Sequence, residues 1–306
     1  PAAVEIQDRV RNALRRNQAV VALESALITH GMPFPDNLEI ALALQDEVEE
    51  QGATPATIAV VDGQILVGLD TDVIAMLARE SGSHKASLRD LSVLALQGGT
   101  GGTTVAATAW AAARAGIGVF CTGGIGGVHR GNSWDISADL PVLASTPMVI
   151  VCAGAKSILD LGKTVEWLET HGVPTVGVGT HDFPAFLTRS SGLPVTVRLD
   201  DPVDIARLAE RQWDMGLQKA ILVGVPVPED AALAVEEVQQ AIEGALREAK
   251  ELGISGKETT PYLLAAVSRL TGGESLKTNK ALLQNNARVA AQIARHLAPL
   301  QAQKAG

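Results

Sequence analysis

Short apolar segments alternate with longer amphipathic segments along most of the chain. The apolar segments have the length of buried strands, and the amphipathic segments repeat with the period of a helix. The predicted strands lie at residues 19–23, 57–61, 64–69, 117–121, 148–152, 174–178, 195–199 and 220–225. The predicted helices lie at residues 4–17, 36–51, 72–80, 88–96, 105–114, 157–171, 202–216, 229–252, 260–271 and 276–297.

This alternation predicts an α/β fold in which helices sandwich a mainly parallel central sheet. The dipeptide Asp62-Gly63 separates two apolar segments and is typical of a hairpin turn, so we expect a small β-hairpin extension. The segment from residue 25 to 35 holds two prolines and a glycine and is expected to be a loop. Neither a repeat nor a linker divides the sequence, which favours a single domain over residues 1–306.

Composition narrows the class of protein. Aromatic residues make up only 3% of the chain, so Ala, Val, Leu and Ile must form the core, as they do in buried parallel sheets. A formal net charge of −9 gives no electrostatic reason to bind nucleic acid. No apolar run reaches the ~20 residues of a membrane span, and we expect no membrane partner and a cytoplasmic location. Cys121 and Cys152 end apolar strands and are expected to be buried free thiols.

Ligands of open α/β sheets gather beyond the carboxyl ends of the strands, and this rule selects Glu24 and Lys156. Lys156 follows a strand and precedes a predicted helix, where a helix N-terminus and burial both favour a neutral amine. A neutral amine attacks carbonyl carbons, whereas a charged one binds phosphate or lies at the surface. Glu24 ends an apolar run, so it is either a general acid with a raised pKa or a structural carboxylate paired with a cation.

Two glycine-rich segments are further candidates for binding a ligand. Residues 98–104 open a helix and resemble an anion cradle, although a purely conformational turn is the alternative. Residues 122–131 follow a strand and add His129 and Arg130 as possible cations. Asp135 suits a water-rich Mg²⁺ or Mn²⁺ site or the cap of a helix at residues 138–145. Lys85 and Asn279 lie in polar stretches, which alone favour an interpretation as surface or capping residues.

Four segments together resemble one known family. Residues 24–33, 98–108, 122–131 and 152–160 are similar to pseudouridine-5′-phosphate glycosidase, with related indigoidine synthase A proteins sharing the fold, and the similarity extends from about residue 18 to residue 297. The resemblance implies that Lys156 forms an imine with the substrate and that Glu24 is the acid/base. It assigns metal binding to Asp135 and substrate binding to Lys85, Val105, Ser137, Ala138, Asp139 and Asn279.

The resemblance also implies an α/β/α sandwich, a homotrimer and a bound Mn²⁺ or similar divalent cation. The expected reaction is reversible cleavage of pseudouridine 5′-phosphate into uracil and ribose 5-phosphate. A Schiff-base aldolase or N-glycosidase acting on another sugar phosphate, a non-catalytic nucleotide or sugar-phosphate binder, and a role in pigment biosynthesis stay open as alternatives.

Overall fold

The computed structural model describes residues 4–131 and 134–305. The strands are β1 (Glu5–Ile6), β2 (Val20–Leu23), β3 (Thr54–Val61), β4 (Gln64–Val67), β5 (His84–Ala86), β6 (Gly101–Thr103), β7 (Val119–Cys121), β8 (Val149–Cys152), β9 (Thr175–Gly177), β10 (Val197–Arg198) and β11 (Ile221–Gly224). The α-helices are α1 (Asp8–Arg15), α2 (Asp36–Glu50), α3 (Thr71–Arg79), α4 (Leu88–Gln97), α5 (Val105–Ala115), α6 (Asp139–Leu143), α7 (Leu161–Thr170), α8 (Pro202–Asp214), α9 (Val235–Glu251), α10 (Thr259–Leu270) and α11 (Glu274–Ala305).

These strands form one mainly parallel sheet. Its order is β1-β4-β3-β2-β7-β8-β11-β9-β10, with β6 pairing to both β3 and β5. Every pairing from β3 to β10 along this order is parallel, whereas β3 is antiparallel to β4 and β6. The predicted α/β class, with its parallel sheet and hairpin extension, is confirmed. Asp62 and Gly63 have φ values of 48° and 77°, which matches the predicted two-residue hairpin turn.

Alanine-rich helices cover the centre of the sheet. Helix α5 packs on β2, β3 and β4, and α11 packs on β2, β7 and β8. Most of the alanines in α5 are fully buried, as are Ala287, Ala290 and Ala291 in α11. Small side chains let these helices approach the sheet closely, so the core closes with few aromatic residues, as the composition predicts.

Several local predictions are wrong. The helix expected at residues 4–17 begins at Asp8, after strand β1, and the helix expected at residues 229–252 begins at Val235. The helix expected from residue 157 begins at Leu161, because the Asp160 side chain accepts a hydrogen bond from Lys163 N and caps it there. The expected loop at residues 25–35 contains a π-helical turn, Leu27–Gly31. The expected glycine loop at residues 98–104 contains strand β6. The later start of α7 removes the helix N-terminus from Lys156.

Candidate active site

Three adjacent parallel strands bring the predicted chemistry to one edge of the sheet. Leu23 of β2 pairs in register with Cys121 of β7, and Cys121 pairs with Val151 of β8. The next residues after β2 and β7 are Glu24 and Thr122. The Thr122 hydroxyl donates a hydrogen bond to Glu24 Oε1. Residues that are 98 positions apart in the sequence therefore meet at the carboxyl end of the sheet.

The segment that carries Lys156 is hydrogen-bonded to the loop after β7. Ala153 N donates to Gly123 O at 2.8 Å, Ile125 N donates to Gly154 O at 3.1 Å, and Lys156 N donates to Ile125 O at 3.1 Å. These bonds fix the half-buried Lys156 beside the strand ends. The position and electrostatic environment of Lys156 are thus determined by the two hydrogen-bonded loops and by neighbouring charges, and not by a helix dipole.

A cleft at this edge collects the predicted residues. A cavity of about 510 Å³ is lined by eight of the nine of them: Glu24, Lys85, Val105, Asp135, Ser137, Ala138, Asp139 and Lys156. The ninth, Asn279 of α11, lies in an adjoining cavity of about 60 Å³ that shares Glu24, Lys85 and Lys156 with the first. Glu24 and Lys156 therefore stand between a larger polar compartment and a smaller one that holds Asn279.

Burial and opposing charges set the proton affinities of the central groups. Desolvation raises the pKa of Glu24, although Lys156, the Thr122 hydrogen bond and Lys85 oppose this effect. Burial lowers the pKa of Lys85, and the nearby Lys156 lowers it further. A carboxyl that keeps its proton more readily than usual and lies beside two lysines is suited to general acid–base catalysis in this cleft.

Asp139 is held by two backbone amides. Its Oδ1 accepts from Ala106 N at 2.9 Å, and its Oδ2 accepts from Gly126 N at 2.7 Å. A Cβ atom at position 126 would lie 2.3 Å from Ser137 Oγ and 2.8 Å from Asp139 Oδ2, so only glycine permits this approach. The buried Asp139 thus has a fixed orientation at the start of α6, where Asp139 N donates a hydrogen bond to Ser137 Oγ at 3.2 Å.

The proposed anion cradle at residues 98–104 is largely engaged within the protein. Gly99 N donates to Leu94 O, Thr103 N to Ser25 Oγ, and Thr104 N to Ala86 O. The conformational alternative is therefore the correct one for these amides. This segment also contains strand β6, which pairs with β5 and aligns Lys85 with Gly102. This pairing places Lys85 at the cleft.

Asp135 lies exposed at the wall of the larger cavity, close to His129. His129 N donates to the backbone oxygen of Asp135 at 2.9 Å, and burial lowers the pKa of the His129 ring while Asp135 opposes the shift. Within residues 4–131 and 134–305, no three His, Cys, Asp or Glu side chains cluster as a metal site. One carboxylate facing a roomy polar cavity fits a Mg²⁺ or Mn²⁺ ion that keeps several waters, which is the kind of site predicted here.

The chain is similar to proteins of one known family. The family model for indigoidine synthase A like protein matches residues 9–296. The chain is 52% identical to pseudouridine-5′-phosphate glycosidase 2 of Photorhabdus laumondii, over 95% of this chain and 94% of that protein. It is 49% identical to the pseudouridine-5′-phosphate glycosidase of Escherichia coli K12, over 96% of each chain.

The chain belongs to the indigoidine synthase A-like family. The family resemblance predicted from the four segments is thereby confirmed, and like these relatives the chain is an enzyme. A crystal structure of the prealnumycin C-glycosynthase AlnA in complex with ribulose 5-phosphate superimposes with a TM-score of 0.90 at 40% identity, covering 99% of this chain and 100% of that one. No helix in the described part of the chain is long and apolar enough to span a bilayer.

Several cleft residues of this family member escaped the sequence reasoning. Thr122 follows a strand as Glu24 does, so the strand-end rule contained a signal for it. Lys257 lines the larger cavity from the α9–α10 connection, Thr260 lines it from the first turn of α10, and Phe186 lines the smaller cavity. No local pattern marks these three. Of the two cations expected near residue 130, His129 lines the larger cavity, while Arg130 donates to Leu159 O and Ser157 O.

A third cavity continues the cleft of this family member beyond Asn279. It measures about 610 Å³ and shares Phe186, His30 and Asn279 with the small compartment. Its remaining wall is largely apolar and includes Met32, Leu264, Val267 and Leu276. The cleft is therefore polar on one side of Lys156 and opens into an apolar chamber on the other.

Proposed function

We propose that the chain cleaves the C–C glycosidic bond of pseudouridine 5′-phosphate reversibly, releasing uracil and ribose 5-phosphate in pseudouridine catabolism. The observation that carries the proposal is a lysine, Lys156, held at a strand edge beside Glu24, whose pKa burial raises. The full-length relatives named for this reaction support the same substrate. The polar and small compartments on either side of Lys156 suit a sugar phosphate and a base.

A carbon leaving group explains why a lysine is needed. Direct departure of uracil would leave negative charge on C5, which protonation of a sugar oxygen does not relieve. Attack of the Lys156 amine on C1′ forms a C–N bond and breaks the bond to the ring oxygen, which takes a proton. The C1′–C5 bond then breaks, its electron pair goes to C5, which takes a proton, and the nitrogen lone pair forms the imine. Water hydrolyses this imine to ribose 5-phosphate and the free amine.

The other residues divide between proton transfer and orientation. Glu24 supplies and recovers the protons in these steps, since its carboxyl holds a proton more tightly than usual. Asp139 and Asn279 orient sugar hydroxyls and the edge of uracil. Val105, Ser137 and Ala138 form the wall against the sugar, and Lys85 adds positive charge for the phosphate.

Two further features, a divalent cation and a homotrimer, rest on the family resemblance, whereas the cytoplasmic location and the single domain rest on the sequence. Asp135 would hold Mn²⁺ or a similar divalent cation through waters, and the cation would supply positive charge near the substrate's oxygens. The chain would assemble as a homotrimer and would work in the cytoplasm as a single domain over residues 1–306.

Product analysis with pseudouridine 5′-phosphate tests the reaction. We expect equimolar uracil and ribose 5-phosphate, with less product in a chelator and recovery on adding Mn²⁺. Borohydride added during turnover should attach the sugar phosphate to Lys156, and Lys156→Ala should lose nearly all turnover while still binding substrate. Tight binding without product would favour the non-catalytic alternative. Adducts on another lysine in an active enzyme would reject Lys156 as nucleophile.

The apolar chamber beyond Asn279 favours one second candidate, attachment of ribose 5-phosphate to a larger aromatic acceptor. A volume of about 610 Å³ is ample for an acceptor of drug size, and a C-glycosynthase shares the fold. Such a reaction would join an aromatic C–H carbon to C1 of the open sugar and release water. Faster product formation with a fused-ring phenol than with uracil, at equal ribose 5-phosphate, would favour this candidate and a biosynthetic role.

A further inference from the structure

Two basic residues outside the predicted set line the far part of the polar cavity. Arg89 lies in the first turn of α4, and Lys257 lies in the 3-10 turn Gly256–Glu258 that precedes α10. Both line the 510 Å³ cavity, but neither lines the small compartment that holds Glu24, Lys156 and Asn279. They therefore lie in the larger compartment and outside the one that Asn279 lines.

Lys257 is fixed in this wall by Asp90. Its Nζ lies 2.6 Å from Asp90 Oδ1, although 167 residues separate the two. Asp90 Oδ2 accepts from Ser87 N at 2.9 Å, and the two residues form a capping box that holds the carboxylate against its own helix. Burial tends to raise the pKa of Asp90, but the hydrogen bonds from Lys257 and Ser87 outweigh it and leave the pKa lowered. An ionised, immobilised Asp90 thus sets the position of the Lys257 ammonium.

The fixed ammonium still has donors to offer. A lysine carries three N–H bonds, and Asp90 accepts one of them. Arg89 adds a guanidinium whose Nε lies 3.9 Å from Asp90 Oδ1, so two cations share one carboxylate. Since the amides of Gly99, Thr103 and Thr104 are engaged elsewhere, these cations are the better candidates for an anion in this compartment.

We propose that Arg89 and Lys257 bind the 5′-phosphate of the substrate and that Asp90 is their positioning residue. This inference rests on the proposed function, because it assigns one end of the same substrate. With C1′ at Lys156 and the base toward Asn279, the phosphate extends along the polar cavity toward the α9–α10 connection. The two residues then determine the preference for a nucleotide over a nucleoside.

The test compares pseudouridine 5′-phosphate with pseudouridine in Lys257→Met and in a matched control, Lys163→Met. Lys163 pairs with Asp160 at 3.3 Å, and its side chain is 49% exposed against 43% for Lys257. We expect Lys257→Met to raise KM for the nucleotide about 10- to 100-fold with little change in kcat, because a charge-assisted hydrogen bond is lost equally from ground and transition states. Its kcat/KM for the nucleoside should not change, and Lys163→Met should match wild type on both substrates.

Two further variants separate binding from positioning. Lys257→Arg should restore most of the nucleotide preference, and Asp90→Asn should weaken inhibition by inorganic phosphate without altering nucleoside turnover. An unchanged nucleotide-to-nucleoside ratio in Lys257→Met, or an equal loss on both substrates, would overturn the inference. If wild type cleaves neither substrate, the proposed function fails, but calorimetric binding of ribose 5-phosphate to wild type and Lys257→Met still decides the anion site. Equal affinities in that experiment would reject it.

Discussion

At the scale of single residues, the contact between Thr122 and Glu24 predicts a change in the pH profile. A hydrogen bond donated to a carboxylate stabilises its charged form and lowers its pKa, as the Thr122 hydroxyl does for Glu24. Thr122→Val keeps the shape of the buried side chain but removes the donor, so the pKa of Glu24 rises further. In a plot of kcat against pH, the limb that reports the ionisation of Glu24 should therefore move to higher pH.

The serine variant supplies the control for this prediction. Thr122→Ser retains the hydroxyl and should leave the limb where wild type has it. Glu24→Gln, which removes the titrating group, should abolish the limb and reduce kcat by about 10²- to 10⁴-fold. A limb that moves to lower pH in Thr122→Val would show that Thr122 does not donate to the carboxylate.

The residues that sequence reasoning found share a local signal, and those it missed do not. Glu24 directly follows β2 and Lys156 lies four residues after β8; β7 pairs in parallel with both strands, so these positions meet at one end of the sheet. Lys257 lines the cavity from the α9–α10 connection, and its ion pair with Asp90 of α4 spans 167 residues of sequence. Neither periodicity nor spacing encodes a contact of that separation, so it required the structure.

At the scale of elements, the segment that carries Lys156 lies close to the loop before Phe186. This close approach predicts an unusually large loss of stability when Gly154 is substituted. Gly154 has a φ of +84°, and a Cβ there would lie 1.9 Å from Pro184 O. Gly116 has nearly the same φ, +83°, but no atom of the described residues lies within 4 Å of its added Cβ. Gly116→Ala should therefore lower the free energy of unfolding only by the strain of the left-handed backbone, about 1–2 kcal/mol. Gly154→Ala should lower it by a further ~1–3 kcal/mol because of the steric collision.

Urea unfolding of the two alanine variants measures this difference. Gly154→Ala should also lower kcat, because Gly154 O accepts the bond from Ile125 N that aligns the segment with Lys156. Gly116→Ala should leave kcat at the wild-type value, since the helix end at residue 116 is remote from the cleft. Equal free energies of unfolding for the two variants would refute the crowding argument.

Elements with strong periodicity were predicted well, and elements set by tertiary pairing were not. The buried strands at residues 20–23, 119–121, 149–152 and 221–224 lie inside their predicted ranges because apolar runs of that length suit a parallel sheet. Strands β5 and β6 are short, polar or glycine-rich, and they exist through their pairing with each other and with β3. The start of α7 depended on the Asp160 cap, a side-chain choice that periodicity does not reveal.

At the scale of the whole molecule, the cleft draws on distant parts of the chain that one sheet holds together. Parallel pairing links β3, β2, β7, β8, β11 and β9 without interruption, and α11 packs on β2, β7 and β8 from the far end of the sequence. One continuous cluster of buried side chains runs from Val10 to Leu297. Loss of either half would thus expose the apolar face of the other.

This arrangement predicts a single cooperative unfolding transition for residues 1–306. Trp110 lies in α5, whereas Trp167 and Trp213 lie in α7 and α8, so tryptophan fluorescence reports on both halves of the sheet. Its midpoint in urea should coincide with that of circular dichroism at 222 nm, because one cluster of buried side chains spans both halves of the sheet. In a pair of variants that both carry Trp134→Phe, one with Trp110→Phe and the other with Trp167→Phe and Trp213→Phe, the remaining tryptophans should give the same midpoint. Distinct midpoints for the two halves would instead indicate two domains, and the cleft would then lie between units that unfold independently.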